Sequence, residues 1–283
     1  MPPQLAQTRY GPIEYRREGS GPVVVVLNGG HCSRATRLSH ERLAAHGFTV
    51  ITPSRPGYDS TPASVGRSAQ AAADALAALL DTLAIPTAAV IGISAAGPTA
   101  LAFAQRHPER TVGLVLESAV TLPWSPWIRR LSWLAFGPTE RLTWALVRRG
   151  LQWVSEGTLR LMLRSLTTRP IRTVMRNLSD RDRRFVIAML ATMQSGQGFL
   201  LDVTHRVDSL ATIQAPILAM YAPDDRSVPP RHTQYLAREA PHATVVAVPA
   251  DTHLLWIGPA AAQVWQTRLR FLRTQLSADH AGP

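Results

Sequence analysis

The stretch that most constrains the fold is Val90-Ile91-Gly92-Ile93-Ser94-Ala95-Ala96-Gly97. An apolar run, Ala88 to Ile91, reads as a buried strand, and Pro98 to His107 follows at once with a helical pattern. Between them sits G-x-S among small residues. A strand that turns this sharply into a helix points its serine hydroxyl away from the sheet. Gly92 and Ala96 flank Ser94 because larger side chains would clash as strand and helix approach each other. Pro98 suits the first helical turn, where its missing N–H costs nothing. The fifth position of the usual G-x-S-x-G is here Ala96, with Gly97 just after. On the pentapeptide alone two readings stand: Ser94 is a nucleophile, or it is a small residue in a tight turn.

The chain around this turn alternates. Residues 8–18 read as an opening strand or hairpin turned at Gly11-Pro12, and Val23 to Leu27 as a strand buried on both faces. Residues 34–46 look helical and stop at Gly47. Phe48 to Ile51 is the next strand, Ser68 to Ala84 an Ala/Leu-rich helix, and Gly113 to Leu116 another strand. Strands alternating with helices predict a parallel sheet wound by right-handed crossovers. After Leu122 the alternation stops, and the pattern is helical to about Arg206. It then resumes with a strand at Pro216–Ala222, a helix at Pro230–Ala240, a strand at Thr244–Val248 and a closing helix at Pro259–Leu276. The predicted organisation is an α/β core of residues 1–121 and 207–276, an all-helical insertion of 122–206, and a disordered tail of 277–283.

Charge is concentrated in the insertion. All 30 basic residues are arginine, and 14 of them face only five of the 19 acids between Leu122 and Arg206. Solvated helical faces account for such arginines in the ordinary case, and no nucleic-acid recognition module is legible. No apolar run approaches the roughly 18 residues of a membrane span. Met1-Pro2-Pro3-Gln4 carries no charged region followed by an apolar core. A lone Cys32 excludes an internal disulfide framework. The expectation is a cytoplasmic monomer or homodimer.

A serine hydroxyl needs a base, normally His, and a group that holds that His in the right tautomer. Asp224 and Asp225 follow the Pro216–Ala222 strand, and Asp251-Thr252-His253 follows the Thr244–Val248 strand. The carboxyl ends of strands in an open parallel sheet share one crevice, so Ser94, an aspartate and His253 can meet there. Glu117, after the preceding strand, is a remoter acid candidate, and Asp251 reads as a turn residue. Cys32 reads as a small buried filler, and Asp59 as a turn closer. His40, His46, His107, His205, His232 and His242 show no metal-ligand spacing. Gly29-Gly30 lacks the pattern of a phosphate loop. No metal and no cofactor are expected.

Together these residues resemble the α/β-hydrolase superfamily, in its capped serine-hydrolase, esterase-like form. The elbow of that family falls on Gly92-Ile93-Ser94-Ala95-Ala96, and its D-x-x-V-P acid motif on Asp225-Arg226-Ser227-Val228-Pro229. Its G-H-L-L turn falls on Thr252-His253-Leu254-Leu255, its "HG" oxyanion turn on Asn28-Gly29-Gly30, and its arginine-proline-glycine loop on Ser54-Arg55-Pro56-Gly57-Tyr58. The similarity covers the chain except the insertion. Asn28 replaces the usual His, Ala96 the usual Gly, and Thr252 the usual Gly before the histidine; Asn28 retains groups that can order its loop. The resemblance implies Ser94 as nucleophile, His253 as base, Asp225 as its orienting acid, and the N–H groups of Gly30 and Ala95 as oxyanion donors. Such donors are typically worth about 3 kcal/mol each. The family's dehalogenases and epoxide hydrolases use Asp at the elbow, which Ser94 argues against.

The implied activity is carboxylic ester hydrolysis on a small to medium lipophilic ester or lactone, through an acyl-enzyme. Carbon–carbon bond hydrolysis, acyl transfer with the same residues, and a non-catalytic ligand-binding member of the fold are the alternatives. The insertion is expected to present apolar side chains over the crevice. Trp124, Trp127, Trp133 and Phe136 are the candidates, with His31 either at the pocket mouth or in a solvated loop. A helical segment rich in Trp and Arg also fits peripheral contact with an anionic membrane.

Overall fold

A computed structural model describes residues 3–207 and 209–280. Met1 and Pro2, and residues 281–283 of the expected tail, lie outside the described residues. The strands are β1 (Gln4–Thr8), β2 (Gly11–Glu18), β3 (Val23–Leu27), β4 (Thr49–Pro53), β5 (Ala88–Ile93), β6 (Thr111–Glu117), β7 (Ile217–Tyr221) and β8 (Ala243–Ala247). The helices are α1 (Ala69–Thr82), α2 (Gly97–Arg106), α3 (Pro126–Phe136), α4 (Glu140–Trp153), α5 (Ser155–Arg164), α6 (Ile171–Asn177), α7 (Asp180–Ala191), α8 (Gly198–Asp202), α9 (Arg231–Glu239) and α10 (Ala261–His280). The eight strands make one sheet in the order β1-β2-β4-β3-β5-β6-β7-β8. β2 runs antiparallel to both β1 and β4, and every later pairing is parallel.

The central strands are buried on both faces because their side chains alternate between two apolar layers. Val24, Val26, Ala89, Ile91 and Ile93 pack toward α10 and its Val264, Leu269 and Leu272. Val25, Leu27, Ala88 and Val90 pack toward α1 and α2, where small residues such as Ala73, Ala77 and Ala100 let the helices approach closely. Each fully buried Val, Leu or Ile in these layers contributes roughly 1.5–3 kcal/mol.

Six helices, α3 to α8, stand between β6 and β7, where the alternation was expected to stop. Their starts are encoded locally. Ser125 accepts a hydrogen bond from the Ile128 N–H ahead of Pro126, and Ser179 forms a reciprocal capping box with Asp182. Leu159, Leu163, Val174, Val186, Met189 and Leu190 face inward and join the core layer on the α10 side.

Two local expectations need correction. Residues 34–46 are not one helix: a short 3-10 helix covers only His40–His46. Ser39 sits at φ +72°, which no helix continues through, and the Asn28 side-chain amide donates to the carbonyls of Ser33 and Thr36 that a helix would have used. At the other end α10 continues through Ser277 to His280, so that part of the expected tail is helical. No described helix is long and apolar enough to cross a membrane.

Candidate active site

The turn after β5 is as sharp as the sequence requires. Ser94 has φ +51°, a left-handed conformation that costs a non-glycine residue about 1–3 kcal/mol and persists only when the surroundings enforce it. Its carbonyl is held from both sides, accepting from the N–H groups of Gly97 and Val120. A methyl group built on Gly92 would lie 2.6 Å from the Ala100 side chain, and one on Gly97 would lie 2.3 Å from the Val120 carbonyl oxygen. The second close approach therefore falls on Gly97, one residue later than expected, and Ala96 keeps its methyl in a fully buried site.

Three loops bring an alcohol, an imidazole and a carboxylate together. His253, just beyond β8, places Nε2 2.9 Å from Ser94 Oγ and Nδ1 2.6 Å from Asp225 Oδ2. The other Asp225 oxygen accepts from the Val228 N–H at 2.9 Å. With Nδ1 donating to Asp225, Nε2 is left to accept the Ser94 proton. The His253 N–H donates to the Leu166 carbonyl, and the Thr252 hydroxyl accepts from the Leu254 N–H, so the threonine found in place of glycine helps to hold the turn. The rival acids are engaged elsewhere. Asp224 accepts from the Thr168 hydroxyl and faces Arg169. Asp251 pairs with Arg169 and Asn177. Glu117 is completely buried between Arg268 and His40.

Ser94 and His253 open on a cavity of about 310 Å³, also lined by Gly30 and Ala95. Ala95 lies in the first turn of the helical segment after β5, where backbone N–H groups have no intrahelical acceptor. Of the aromatic candidates, Trp124, Phe136 and His31 line this cavity. Trp127 and Trp133 do not: they are 68% and 57% exposed. Ser132 and Phe136, one helical turn apart, hold the inward side of α3, and both tryptophans fall off that stripe. Trp144, Met162, Met189, Met193, Phe199 and Trp256 complete much of the apolar wall and were not singled out in the sequence. Helical spacing marks such residues as one buried face, and the same spacing describes any core. Among the described residues no Arg, Asp or Glu lines the cavity.

His31 is a wall residue rather than a solvated one. Its ring packs 3.8 Å from Phe199 and 4.1 Å from Phe136, and Nδ1 pairs with the Ser195 hydroxyl at 2.8 Å. Burial, reinforced by the nearby Arg55, holds its pKa down to about 3, so the ring is neutral. Behind this wall, Arg55 pairs with Asp202 of α8 and donates to the Gly29 carbonyl at 3.0 Å, while Tyr58 donates to Asp202 at 2.6 Å. The arginine-proline-glycine loop thereby fastens the Gly29-Gly30 turn to the inserted helices. Asp59, at φ +46°, accepts from the Ser54 hydroxyl as a turn closer would. Burial pushes the Cys32 thiol up to about 12, which leaves it inert. Among the described residues no cluster of three or more His, Cys, Asp or Glu could hold a metal.

This fold and this arrangement are those of a hydrolase, and comparison with known proteins gives the family. A family model described as alpha/beta hydrolase fold matches residues 22–259, and the chain belongs to that family. It is 32% identical over 276 residues to the uncharacterized hydrolase YcgS of Bacillus subtilis, covering 93% of this chain and 96% of the relative. It is 29% identical over 229 residues to a 2-hydroxy-6-oxononadienedioate/2-hydroxy-6-oxononatrienedioate hydrolase of Burkholderia vietnamiensis, covering 77% of this chain and 76% of that one. The solved alpha/beta hydrolase fold protein of Nakamurella multipartita superposes with a TM-score of 0.83 at 25% identity, covering 96% of this chain and 99% of that one.

Proposed function

We propose that this protein is a serine hydrolase that cleaves small to medium, neutral, lipophilic carboxylic esters or lactones through an acyl-enzyme. The observation that carries the reading is the unbroken chain Asp225–His253–Ser94, with separations of 2.6 and 2.9 Å, at the mouth of an apolar cavity. Ser94 Oγ attacks the ester carbonyl carbon as its proton passes to His253 Nε2. The carbonyl oxygen becomes an oxyanion, which the N–H groups of Gly30 and Ala95 receive. Asp225 stabilises the imidazolium that forms. His253 then returns the proton to the departing alkoxide oxygen, and an acyl group remains on Ser94. A water molecule, deprotonated by His253, attacks that acyl carbon. Collapse releases the acid and restores the serine hydroxyl. In this reading the six inserted helices act as a cap: they supply Phe136, Trp144 and Phe199 to hold an acyl or alkyl group and exclude water.

The relative named for a nonadienedioate substrate favours a second reading, hydrolysis of an anionic keto acid by the same residues. The cavity argues for the first. Among the described residues a dicarboxylate would meet no arginine on the cavity wall, and the nearby Arg55 is already committed to Asp202. A desolvated carboxylate without a partner is costly.

The test is labelling with a fluorophosphonate, followed by a panel of p-nitrophenyl esters of increasing chain length. Ser94 gains the adduct, Ser94→Ala does not, and neutral esters turn over while dicarboxylates do not. A folded protein whose Ser94 stays unlabelled overturns the reading in favour of a ligand-binding fold.

A further inference from the structure

The inserted helices carry a feature that ester hydrolysis does not use. Among the described residues, nine of the eleven strongly exposed large hydrophobics fall between Trp127 and Leu161. They are ordered. On α3, Trp127, Leu131 and Leu134 recur at i, i+4 and i+7, a single stripe, and Arg130 lies beside it. On α4, Leu142, Leu146, Arg149 and Trp153 recur at i, i+4, i+7 and i+11, a second stripe. Trp153 is 72% exposed, and the Arg149 guanidinium lies 4.5 Å from the centre of its ring. Leaving so many large apolar side chains in water on two neighbouring helices marks an interaction surface.

The charge beside the stripes identifies the occupant. Arg130, Arg141 and Arg149 have no carboxylate partner among the described residues. The local acids are spent elsewhere: Glu140 accepts from the Ser195 and Gly196 backbone, and Glu156 pairs with Arg160 and Arg183. A second copy docked through the same face would set these arginines against their own symmetry mates. An anionic lipid surface satisfies both halves of the pattern: acyl chains take Trp and Leu, and headgroups take Arg. Contact is peripheral, since no described helix can span a bilayer.

We infer that the outer face of α3 and α4 docks this protein on anionic lipid bilayers. Phe136 of α3 and Trp144 of α4 line the cavity from the opposite sides of the same helices. Docking therefore brings the cavity wall within about one helix diameter, ~10 Å, of the lipid. A lipophilic substrate partitioned into the bilayer would then be concentrated at the wall it must pass. The inference stands apart from the hydrolase reading, because it rests on the outer face alone.

The experiment is co-sedimentation of the full chain with vesicles of phosphatidylcholine alone or with 30% phosphatidylglycerol, at low salt and at about 0.5 M salt, where the Debye length is only a few Å. The protein pellets with anionic vesicles at low salt, is released at high salt and stays in solution with phosphatidylcholine. Leu146→Ser/Trp153→Ala and Arg130→Glu/Arg149→Glu each weaken partitioning by about tenfold or more, with circular dichroism and fluorophosphonate labelling of Ser94 retained. Ser94→Ala still pellets, which separates docking from catalysis. The inference is overturned by no pelleting on anionic vesicles at low salt or by binding that neither double variant weakens. A dimer in sedimentation velocity that Leu146→Ser/Trp153→Ala dissolves would also overturn it, by showing that a second copy covers the face.

Discussion

In the proposed mechanism Asp225 acts through the proton it keeps on His253 Nδ1. Both of its oxygens are engaged, one by the imidazole and one by the Val228 N–H. Asp225→Asn changes little in shape, but its amide can offer N–H to Nδ1, which places the imidazole proton on Nε2, where Ser94 must donate. The expected result is a fall of about 10⁴-fold in kcat on a p-nitrophenyl ester with KM almost unchanged. A loss of less than tenfold would move the orienting role to another acid. Asp225 and its neighbour Asp224 are an instance of what the sequence can and cannot separate. Strand ends place both near the crevice, and only the spacing to Val228-Pro229 points to Asp225. The structure gives the reason in the Val228 N–H that clamps one of its oxygens. His31 was less legible. Its role in the wall depends on Phe136, Phe199 and Ser195, which are 105 to 168 positions away, and no local pattern reports such contacts.

At the scale of elements, the turn between β5 and α2 is built on two absent side chains. Gly97 is the stricter, because what blocks its methyl is the Val120 carbonyl, a backbone atom that cannot rotate aside. Gly97→Ala is expected to lower the unfolding free energy by about 1–3 kcal/mol, measured by urea denaturation, and to reduce fluorophosphonate labelling as Ser94 shifts. An unchanged urea midpoint would show that the loop after β6 yields without cost. The strands and most core helices were legible because their periods, two and 3.6, are set by which side chains the sheet buries. The segment before His40 was not, since its apolar spacing resembles a helix while Asn28 and the left-handed Ser39 commit the backbone elsewhere. The inserted helices were legible as helices and not as walls. Periodicity shows that α3 has distinct sides without saying which one meets the cavity, and so Trp127 and Trp133 were placed on the wrong side.

At the scale of the whole molecule, burial of titratable groups sets how stability depends on pH. Burial lowers the pKa of His31 to about 3 and of His232 to about 4, with Arg55 and Arg231 respectively adding to it. Burial likewise lowers His40 and His205. Below pH 6.5 the unfolded chain takes up protons at these positions and the folded chain does not. The stability they confer is therefore complete above 6.5 and is lost as pH falls through their folded values, by up to about 1.4 kcal/mol per pH unit for each. Glu117 adds a second, lower window. Burial alone would push its carboxyl up, but the Arg268 guanidinium, and after it His40, outweigh burial and hold it at about 2. Its contribution is complete above 4.5 and is lost as pH falls through about 2. The formal charge of +11 acts in the same direction, since each carboxylate neutralised increases self-repulsion. Urea unfolding at a series of pH values should therefore give a free energy that is level near pH 7 to 8, declines from about pH 6.5 and continues to fall below 4.5. Glu117→Gln should cost about 3–5 kcal/mol at pH 7 by stranding Arg268, and should flatten the lower window. A free energy that stays level from pH 6.5 to 4.5 would mean that these histidines are already charged in the native protein, which is incompatible with the neutral His31 on which the cavity wall depends.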